Sequence, residues 1–289
     1  MLFILYRMGI FLALNLPLKA SYWVAATVSS AYSFISRNDR NAVKSNLRIL
    51  YPDYDEARIN RLTTATFVNF AKYLVDFFRF SKVDKEYIEK NIKINGIENL
   101  DAAFKENKGV ILAAAHLGNW ELGGVVVSIL GYPFAAVVLD HKHTDVNEYF
   151  IKQREAKGVE VISIGAGLRR CFKALSDNHA IALVGDRDYY DSGIEMDFFG
   201  KATIIPKGPA IFSRRCGSPI IPCFLVRNDD DTFTFSFHKP IRSRHTKDEH
   251  QDLAETTTEL LGVLEKTIRE HPGQWCVFRE FWKKIGWKR

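Results

Sequence analysis

Residues 109–124 read GVILAAAHLGNWELGG, and this stretch decides how the chain is organised. Its first seven residues form an apolar run of strand length, and an apolar-periodic segment starts at Trp120. Asn119 is a candidate helix N-cap, and Glu121 then lies in the first helical turn. A strand–loop–helix unit of this kind places His116 and Glu121 at the carboxyl end of a strand, where open α/β sheets usually build their sites.

The spacing of His116 and Glu121 is compatible with two interpretations. One is a functional pair of imidazole and carboxylate. The other is purely structural, because an acidic residue in a first helical turn also complements the helix dipole. A motif is a hypothesis until its structural context is known.

Further along the chain, strand-like and helix-like segments alternate. The candidate strands are 110–115, 134–139, 159–164, 180–185 and 219–225, and the candidate helices lie near 97–106, 120–130, 145–157, 166–177 and 206–215. This alternation predicts an α/β fold with a mainly parallel sheet flanked by helices. Residues 232–238 alternate strictly and predict an antiparallel addition, and a last amphipathic helix is expected over about 249–270.

The N-terminal segment reads MLFILYRMGIFLALNLPLKASYWVAATVSSAYSFIS. Arg7, Pro17 and Lys19 interrupt its apolar character before a clean 18-residue span is reached. We therefore interpret 1–36 as membrane-associated helices, with a short inserting helix first and a surface helix after it, and 37–289 as a single α/β domain. Two ordinary core helices and a single-pass span are the alternatives.

Composition narrows the class of protein. The chain has 289 residues, of which 47% are hydrophobic, and a net charge of +6. Residues 1–48 contain six basic residues and one acidic residue, and the last seven contain four basic and none acidic. Such positive ends favour anionic phospholipid or an acidic partner. No basic helix with interleaved aromatic residues is present, so nucleic acid is not an expected partner.

Other sites of chemistry are not indicated. The four cysteines form no C-x-x-C pair, which argues against a zinc ribbon or a redox motif. No G-x-S-x-G elbow is present, which weakens a serine esterase interpretation. Residues 140–145 read DHKHTD and have metal-binding side-chain types, but after a strand they are interpreted as a polar rim. We expect no metal and no cofactor.

The string HLGNWE at 116–121 resembles the H-x4-[DE] signature of glycerolipid-type acyltransferases, and in this form it looks like the late acyltransferases of lipid A biosynthesis. Residues 40–52, RNAVKSNLRILYP, are similar to the N-terminal segment of that family. Arg154 falls where the family has an arginine, and GDRD at 185–188 resembles its D-Q-D motif with Arg187 in place of glutamine. The segments FFG (198–200), GPA (208–210) and QWCVFR (274–279) follow in the family's order, the last one less closely.

The resemblance implies a glycerolipid acyltransferase-like fold and a transfer of a fatty acyl group from a thioester to a hydroxyl. In that chemistry His116 is expected to act as general base, since imidazole has a useful pKa near cytosolic pH. Glu121 is expected to hydrogen-bond the far ring nitrogen and orient it. Asn119 or backbone amides near it are the expected donors to the oxyanion.

Substrate contacts also follow from the resemblance. Arg154 is expected to bind an anionic part of a substrate, and Asp186 and Asp188 to shape the acceptor side, although a strand-end Asp-x-Asp can simply bond loop amides. The expected donor is acyl–acyl carrier protein or, second, a coenzyme A thioester. The expected acceptor is a lipid A precursor or related glycolipid, at the cytoplasmic face of a bacterial inner membrane.

Two alternatives remain open at this point. The acceptor could be another lipid, such as a phosphoinositide mannoside or an aminolipid, because related enzymes share H-x4-[DE]. Alternatively, the protein could be a non-catalytic lipid-binding protein of the same fold. The intact His116 and Glu121 argue against the second alternative.

Overall fold

The central feature of the computed structural model is a sheet of seven strands, accompanied by a separate hairpin. The model describes residues 2–140, 143–164, 167–188 and 192–282. Within these residues the strands are β1 (Ile92–Asn95), β2 (Val110–Ala114), β3 (Phe134–Val138), β4 (Glu160–Ser163), β5 (Ala180–Val184), β6 (Ile194–Phe198), β7 (Lys201–Ile205), β8 (Ile220–Arg227) and β9 (Phe233–Phe237).

The strand order in the large sheet is β1-β9-β8-β2-β5-β3-β4. All neighbouring pairs are parallel except β8 and β9, which pair antiparallel. The predicted mainly parallel sheet and the antiparallel addition over 232–238 are therefore confirmed. The hairpin of β6 and β7 and the short edge strand β1 are additions that the sequence pattern did not reveal.

Helices cover both faces of the sheet. They are α1 (Leu2–Asn15), α2 (Leu18–Ile35), α3 (Arg37–Leu50), α4 (Glu56–Phe78), α5 (Lys85–Asn91), α6 (Ile97–Phe104), α7 (Trp120–Ile129), α8 (Thr144–Glu155), α9 (Leu168–Ser176), α10 (Gly208–Cys216) and α11 (Glu249–Glu270). Asp55 caps α4, and its carboxylate accepts a hydrogen bond from the amide of Arg58 at 2.7 Å.

Strand β2 shows why its sequence is apolar throughout. Val110 and Leu112 pack into the core layer that contains α7, whereas Ile111 and Ala113 pack into the layer that contains α9 and α11. Successive side chains of a strand point to opposite faces, so a strand covered on both sides must be apolar at every position.

The N-terminal helices pack against the body. Ala13 of α1 and Tyr22 of α2 are buried in the layer around α7. Arg79, at the end of α4, donates to the carbonyls of Ala13 and Leu16, and thereby satisfies groups that the end of α1 leaves without helical partners.

The outer surface of these two helices is apolar. We call the exposed side chains the N-terminal apolar face, and they are Met8, Phe11, Trp23, Val28, Phe34 and Ile35. In the part of the chain that the structure describes, no helix combines the length and the apolar character that crossing a membrane would require.

Two sequence expectations fall partly on residues that are not described. His141 and Lys142, of the polar segment 140–145, lie outside the described residues, as do the basic residues of 283–289. Within the first segment, Asp140 accepts a hydrogen bond from the hydroxyl of Ser163 at 3.0 Å.

Candidate active site

The loop from His116 to Asn119 connects β2 to α7. Gly118 has a φ of +65°, and a Cβ at this position would lie 2.1 Å from the carbonyl oxygen of Leu225. The Asn119 amide donates to that same carbonyl at 2.8 Å. Only glycine allows the loop to lie so close to the backbone of β8, so Gly118 is required here for its lack of a side chain.

The loop is held from the other side by the segment after α11. The Gly118 amide donates to the carbonyl of Gln274 at 3.0 Å, and the carbonyl of His116 accepts from the Cys276 amide at 2.7 Å. Backbone hydrogen bonds therefore clamp the loop between β8 and residues 274–276.

His116 and Asp186 form the central contact of the site. Nδ1 of His116 lies 2.7 Å from Oδ1 of Asp186. The other carboxylate oxygen, Oδ2, accepts from the His116 amide at 3.1 Å and from Nε1 of Trp275 at 2.9 Å. Asp186 is completely buried, whereas the His116 side chain is 15% exposed. The carboxylate therefore occupies Nδ1 and leaves Nε2 of His116 for a substrate.

The position of Asp186 follows from the sheet. Strands β2 and β5 are parallel neighbours, and the Gly185 amide donates to the carbonyl of Ala114 at 2.8 Å. The residues that follow the two strands therefore meet at the same edge of the sheet.

The charge state of Asp186 is favourable for holding an imidazolium. Burial raises the pKa of this carboxyl group, but the attraction of His116 and the hydrogen bonds from His116 and Trp275 outweigh burial, and the net pKa is lowered. Asp186 is therefore a carboxylate at neutral pH.

Glu121 makes a different contact from the one that the spacing predicts. Its Oε2 accepts from Nε of Arg154 at 2.8 Å, and its Oε1 accepts from Nη2 at 2.5 Å. The partner expected for the His116 ring is thus corrected from Glu121 to Asp186. Asp186 follows β5, the strand beside β2, whereas Glu121 lies on α7 and faces the last turn of α8.

Arg154 is buried, and its partner Glu121 is mostly buried. Burial lowers the pKa of the Arg154 guanidinium, but the charge and the hydrogen bonds of Glu121 raise it by more than burial lowers it. The net pKa is therefore raised. The guanidinium carbon also lies 5.7 Å from the ring centre of Phe150 and 5.9 Å from that of Phe77. The pair is bidentate, and both residues line the cleft described below.

The side-chain oxygen and nitrogen of Asn119 both make hydrogen bonds within the protein. Its Oδ1 accepts from the Leu122 amide at 3.1 Å, which is the N-cap that the sequence predicts. Its Nδ2 donates to Oδ2 of Asp76 at 2.7 Å, and the residue is only 2% exposed. The donors that remain for an oxyanion are the amides of Trp120 and Glu121, since the first amides of a helix have no intrahelical acceptor.

Asp188 follows Asp186 by two residues but bonds a different group. Its Oδ2 accepts from the Gly193 amide at 2.7 Å, so this carboxylate bonds a loop amide in addition to lining the cleft. Asp186 and Asp188, which the sequence groups together, thus make different contacts.

The site opens into a cleft of about 840 Å³. His116, Glu121 and Arg154 lie on its wall, with Trp120, whose ring stacks on Tyr73 at a centroid distance of 4.6 Å. The rest of the wall is largely apolar and includes Ala136, Val137, Val138, Ala182, Leu183, Val184 and Phe212. Leu139 and Leu168 also line the cleft and are 43% and 58% exposed.

Trp275 and Asp76 are site residues that sequence reasoning missed. Trp275 lies in the segment 274–279 that resembles the closing block of the family, but its contact with Asp186 depends on the path of the chain after α11. Nothing local to Asp76 signals its contact with Asn119, because the two residues are 43 positions apart.

The fold and the site define a class of α/β protein in which a histidine and a buried carboxylate stand at the carboxyl edge of a mainly parallel sheet, beside an apolar cleft. A family model described as bacterial lipid A biosynthesis acyltransferase matches residues 1–284. The chain therefore belongs to this family, and the resemblance in the sequence is confirmed.

Three relatives show the range of the family. The chain is 32% identical over 165 residues to a phosphatidylinositol mannoside acyltransferase of Mycolicibacterium smegmatis, which covers 56% of this chain and 54% of the relative. It is 27% identical over 229 residues to the protein of that name in Mycobacterium tuberculosis, covering 76% and 70%. It is 24% identical over 259 residues to a lipid A biosynthesis palmitoleoyltransferase of Escherichia coli K12, covering 87% and 81%. The chain thus matches about half the length of the first of these proteins.

Proposed function

We propose that this protein is an O-acyltransferase that moves a fatty acyl group from a thioester to a hydroxyl of a membrane glycolipid, with His116 as general base. Family membership supports acyl transfer, and the site supports the residue roles. The contact that carries the proposal is the one between Nδ1 of His116 and the buried carboxylate of Asp186.

The chemistry needs one proton to move. Nε2 of His116 takes the proton of the acceptor hydroxyl as its oxygen attacks the thioester carbonyl. Asp186 holds the ring in the tautomer that leaves Nε2 free and stabilises the imidazolium, as the aspartate does in a serine-protease triad. The C–O bond forms, the C–S bond then breaks, and the proton passes from Nε2 to the departing thiolate. Because the thioester is already activated, no metal or cofactor takes part.

The oxyanion of the tetrahedral intermediate needs donors. The amides of Trp120 and Glu121 at the start of α7 take this role, since they carry the positive end of the helix dipole and their residues line the cleft beside His116. The side chain of Asn119 does not, because it is 2% exposed and is not part of the cleft wall.

Arg154 and Asp188 border the same cleft. Arg154 binds an anionic part of a substrate through the guanidinium edge that Glu121 leaves free, and Asp188, which bonds the Gly193 amide, shapes the acceptor side. The apolar wall between β3 and β5 accommodates the acyl chain.

The donor that we propose is acyl–acyl carrier protein, with a coenzyme A thioester as the second choice. The positive charge of the chain supports an acidic carrier protein.

The enzyme is proposed to lie at the cytoplasmic face of a bacterial inner membrane, as a peripheral or monotopic protein. The N-terminal apolar face supports this, because a surface of large exposed apolar side chains is typical of membrane contact. Arg7, Lys19 and Arg37 are exposed on the same helices or next to them and suit anionic headgroups.

A second acceptor class is favoured by the relatives. Sequence identity is 32% to one phosphatidylinositol mannoside acyltransferase but 24% to the lipid A palmitoleoyltransferase. A phosphoinositide mannoside is therefore the alternative to a lipid A precursor, and parallel assays with both acceptors separate the two.

The test is His116→Ala in the full chain. General base catalysis typically contributes 10²–10⁴-fold, so the rate is expected to fall by roughly that factor while the melting temperature is retained. His250→Ala is the matched control, since His250 is exposed on α11 and should leave turnover unchanged. Near-normal turnover by a folded His116→Ala variant would overturn the mechanism, and absence of turnover by the unaltered chain with both acceptors would favour a lipid-binding protein.

A further inference from the structure

A buried carboxylate outside the histidine pair connects four separate parts of the chain. Asp76, on α4, is 4% exposed. Its Oδ1 accepts a hydrogen bond from the hydroxyl of Tyr22, and its Oδ2 accepts from Nδ2 of Asn119, at 2.7 Å, and from Nη2 of Arg227. The donors come from α2, from the loop that carries His116 and from the end of β8.

This arrangement costs free energy to build. Burial raises the pKa of Asp76, although Arg227, Tyr22 and Asn119 act in the opposite direction. Removing a partner of a buried charged group leaves an uncompensated charge, which is strongly destabilising. Apolar side chains of similar volume would fill the same space equally well. The better explanation of this network is therefore that Asp76 positions the residues that bind it.

Asn119 connects the Asp76 network to the loop that carries His116. Its amide group joins Asp76 at one end to the first turn of α7 at the other, through the Leu122 amide. Asn119 lies three residues after His116 in a loop whose path is already restricted at Gly118. A shift of the Asp76 carboxylate would therefore move the start of α7 and the histidine together.

Arg227 holds the opposite side of the same loop. Gln274 bonds both the amide and the carbonyl of Arg227, each at 2.8 Å, and the carbonyl of Gln274 accepts from the Gly118 amide. The ion pair of Arg227 with Asp76 thus joins the two backbone segments that clamp the loop.

We propose that Asp76 is a positioning residue for His116, and that the Tyr22 hydroxyl makes helix α2 a working part of the active site. The inference rests on the proposed acyl transfer and extends it to the N-terminal helices. Tyr22 fixes one oxygen of Asp76, Asp76 fixes Asn119, and Asn119 fixes the loop that presents the imidazole to Asp186.

The test compares Tyr22→Phe and Asp76→Asn with Tyr51→Phe. Tyr22→Phe removes only the hydroxyl and keeps the ring, whose centroid lies 4.7 Å from the Arg227 guanidinium carbon. Tyr51→Phe is the control, because it also removes a hydroxyl that bonds another element, the carbonyl of Arg269 on α11, and that hydroxyl takes no part in the Asp76 network. Tyr22→Phe is expected to lose more stability than Tyr51→Phe, because the Tyr22 hydroxyl bonds a buried carboxylate and the Tyr51 hydroxyl bonds a carbonyl at an exposed position, so stability by itself does not decide the question.

Two readouts separate positioning from stability alone. The first is kcat against KM, well below the melting temperature of every variant. Small displacements of reacting groups are costly, so kcat is expected to fall roughly tenfold or more in Tyr22→Phe with KM nearly unchanged. The second is the rate at which diethyl pyrocarbonate modifies His116, followed by peptide mass spectrometry, which should rise in Tyr22→Phe and stay constant in Tyr51→Phe.

The outcomes are decisive in each case. If Tyr22→Phe matches Tyr51→Phe in kcat and in His116 modification, the network only stabilises the fold and the proposal is overturned. If Asp76→Asn does not fold, Tyr22→Phe, which keeps the Asp76–Arg227 ion pair, decides the question. The modification rate needs no turnover, so the proposal can be judged even if the acyl transfer itself proves to be wrong.

Discussion

The carboxylates of Asp186 and Glu121 both border the His116 loop, but each of them binds a different side chain. Asp186 holds the imidazole through Nδ1, whereas Glu121 holds the Arg154 guanidinium in a bidentate pair. His116 and Glu121, five residues apart in the sequence, therefore belong to two neighbouring pairs rather than to one. Each pair supports a distinct expectation for the loss of its carboxylate.

Asp186→Asn is expected to remove most of the rate without unfolding the protein. An amide in this place can favour the wrong tautomer of His116 and cannot stabilise an imidazolium, so kcat should fall by roughly 10³–10⁴-fold. The double variant with His116→Ala should be little worse than either single one, because residues that act as a unit are not additive. Steady-state kinetics of the three variants would check this.

Glu121→Gln serves as the contrasting variant. It leaves a buried guanidinium without its carboxylate, and breaking a buried pair typically costs about 3–5 kcal/mol of stability. The melting temperature should therefore fall markedly, and kcat of the folded fraction should fall less than in Asp186→Asn. Loss of kcat equal to that of Asp186→Asn, at unchanged stability, would instead return Glu121 to the role of orienting acid.

Acidification should reveal the contribution of Asp186 to stability. Its pKa is lowered below the ordinary value near 3.8, because His116 and the hydrogen bonds outweigh burial. A depressed folded-state pKa stabilises the protein above the unfolded value, and this contribution disappears as the pH falls through the folded-state value. Thermal unfolding of the unaltered chain and of Asp186→Asn should thus differ fully above about pH 4 and begin to converge only as the pH falls below that value. A difference that stays constant on acidification would contradict this assignment.

At the scale of elements, the neighbouring strands β2, β5 and β3 build the site and the cleft together. Asp186 follows β5 and His116 follows β2, whereas Ala136 of β3 pairs with Ala182 of β5 on the cleft wall. Because both side chains are small, they leave room in the cleft next to the sheet. The length of acyl chain that fits should therefore depend on them.

Ala136→Phe is expected to shift the donor preference to shorter acyl chains. Burying a methylene is worth about 0.8 kcal/mol, so each methylene excluded from the cleft should cost roughly fourfold in kcat/KM. Competition assays with a series of acyl donors would measure the shift. Ala102→Phe, on the exposed side of α6, is the control, and an unchanged chain-length profile in Ala136→Phe would place the acyl chain elsewhere.

At the scale of the whole molecule, the N-terminal helices have two sides with different roles. Their inner side contributes Ala13 and Tyr22 to the core, whereas their outer side forms the N-terminal apolar face. Removing residues 1–36 would therefore expose core residues, and surface substitutions are the cleaner test of the proposed membrane attachment.

Trp23→Ser together with Phe34→Ser should weaken binding to phospholipid vesicles and leave the fold intact, since the two side chains are 69% and 64% exposed. Burying a large apolar side chain contributes about 1.5–3 kcal/mol, so the partition coefficient should fall at least tenfold or so. Flotation with anionic vesicles would measure it, with Leu130→Ser, at the residue that follows α7, as the control. Added salt should weaken binding of the unaltered chain without abolishing it. Unchanged flotation of the double variant would rule out this face.

Most of the succession of strands and helices along the chain, except β1 and the β6–β7 hairpin, could be predicted from the sequence, as could the loop that carries His116 and the N-cap at Asn119. Each depends on side chains that are near one another in the chain, since periodicity, capping and glycine conformations are local properties. The partner of His116 could not, because Asp186 is 70 residues away and reaches it only when β5 is placed beside β2. Likewise, the burial of Tyr22 against Asp76 depends on how α2 packs on α4. An apolar pattern in the sequence specifies that a face of a strand or helix is covered. Strand order and helix packing then decide which charged groups meet inside the protein. Because desolvation makes an unpaired buried charge costly, those groups must be placed in pairs.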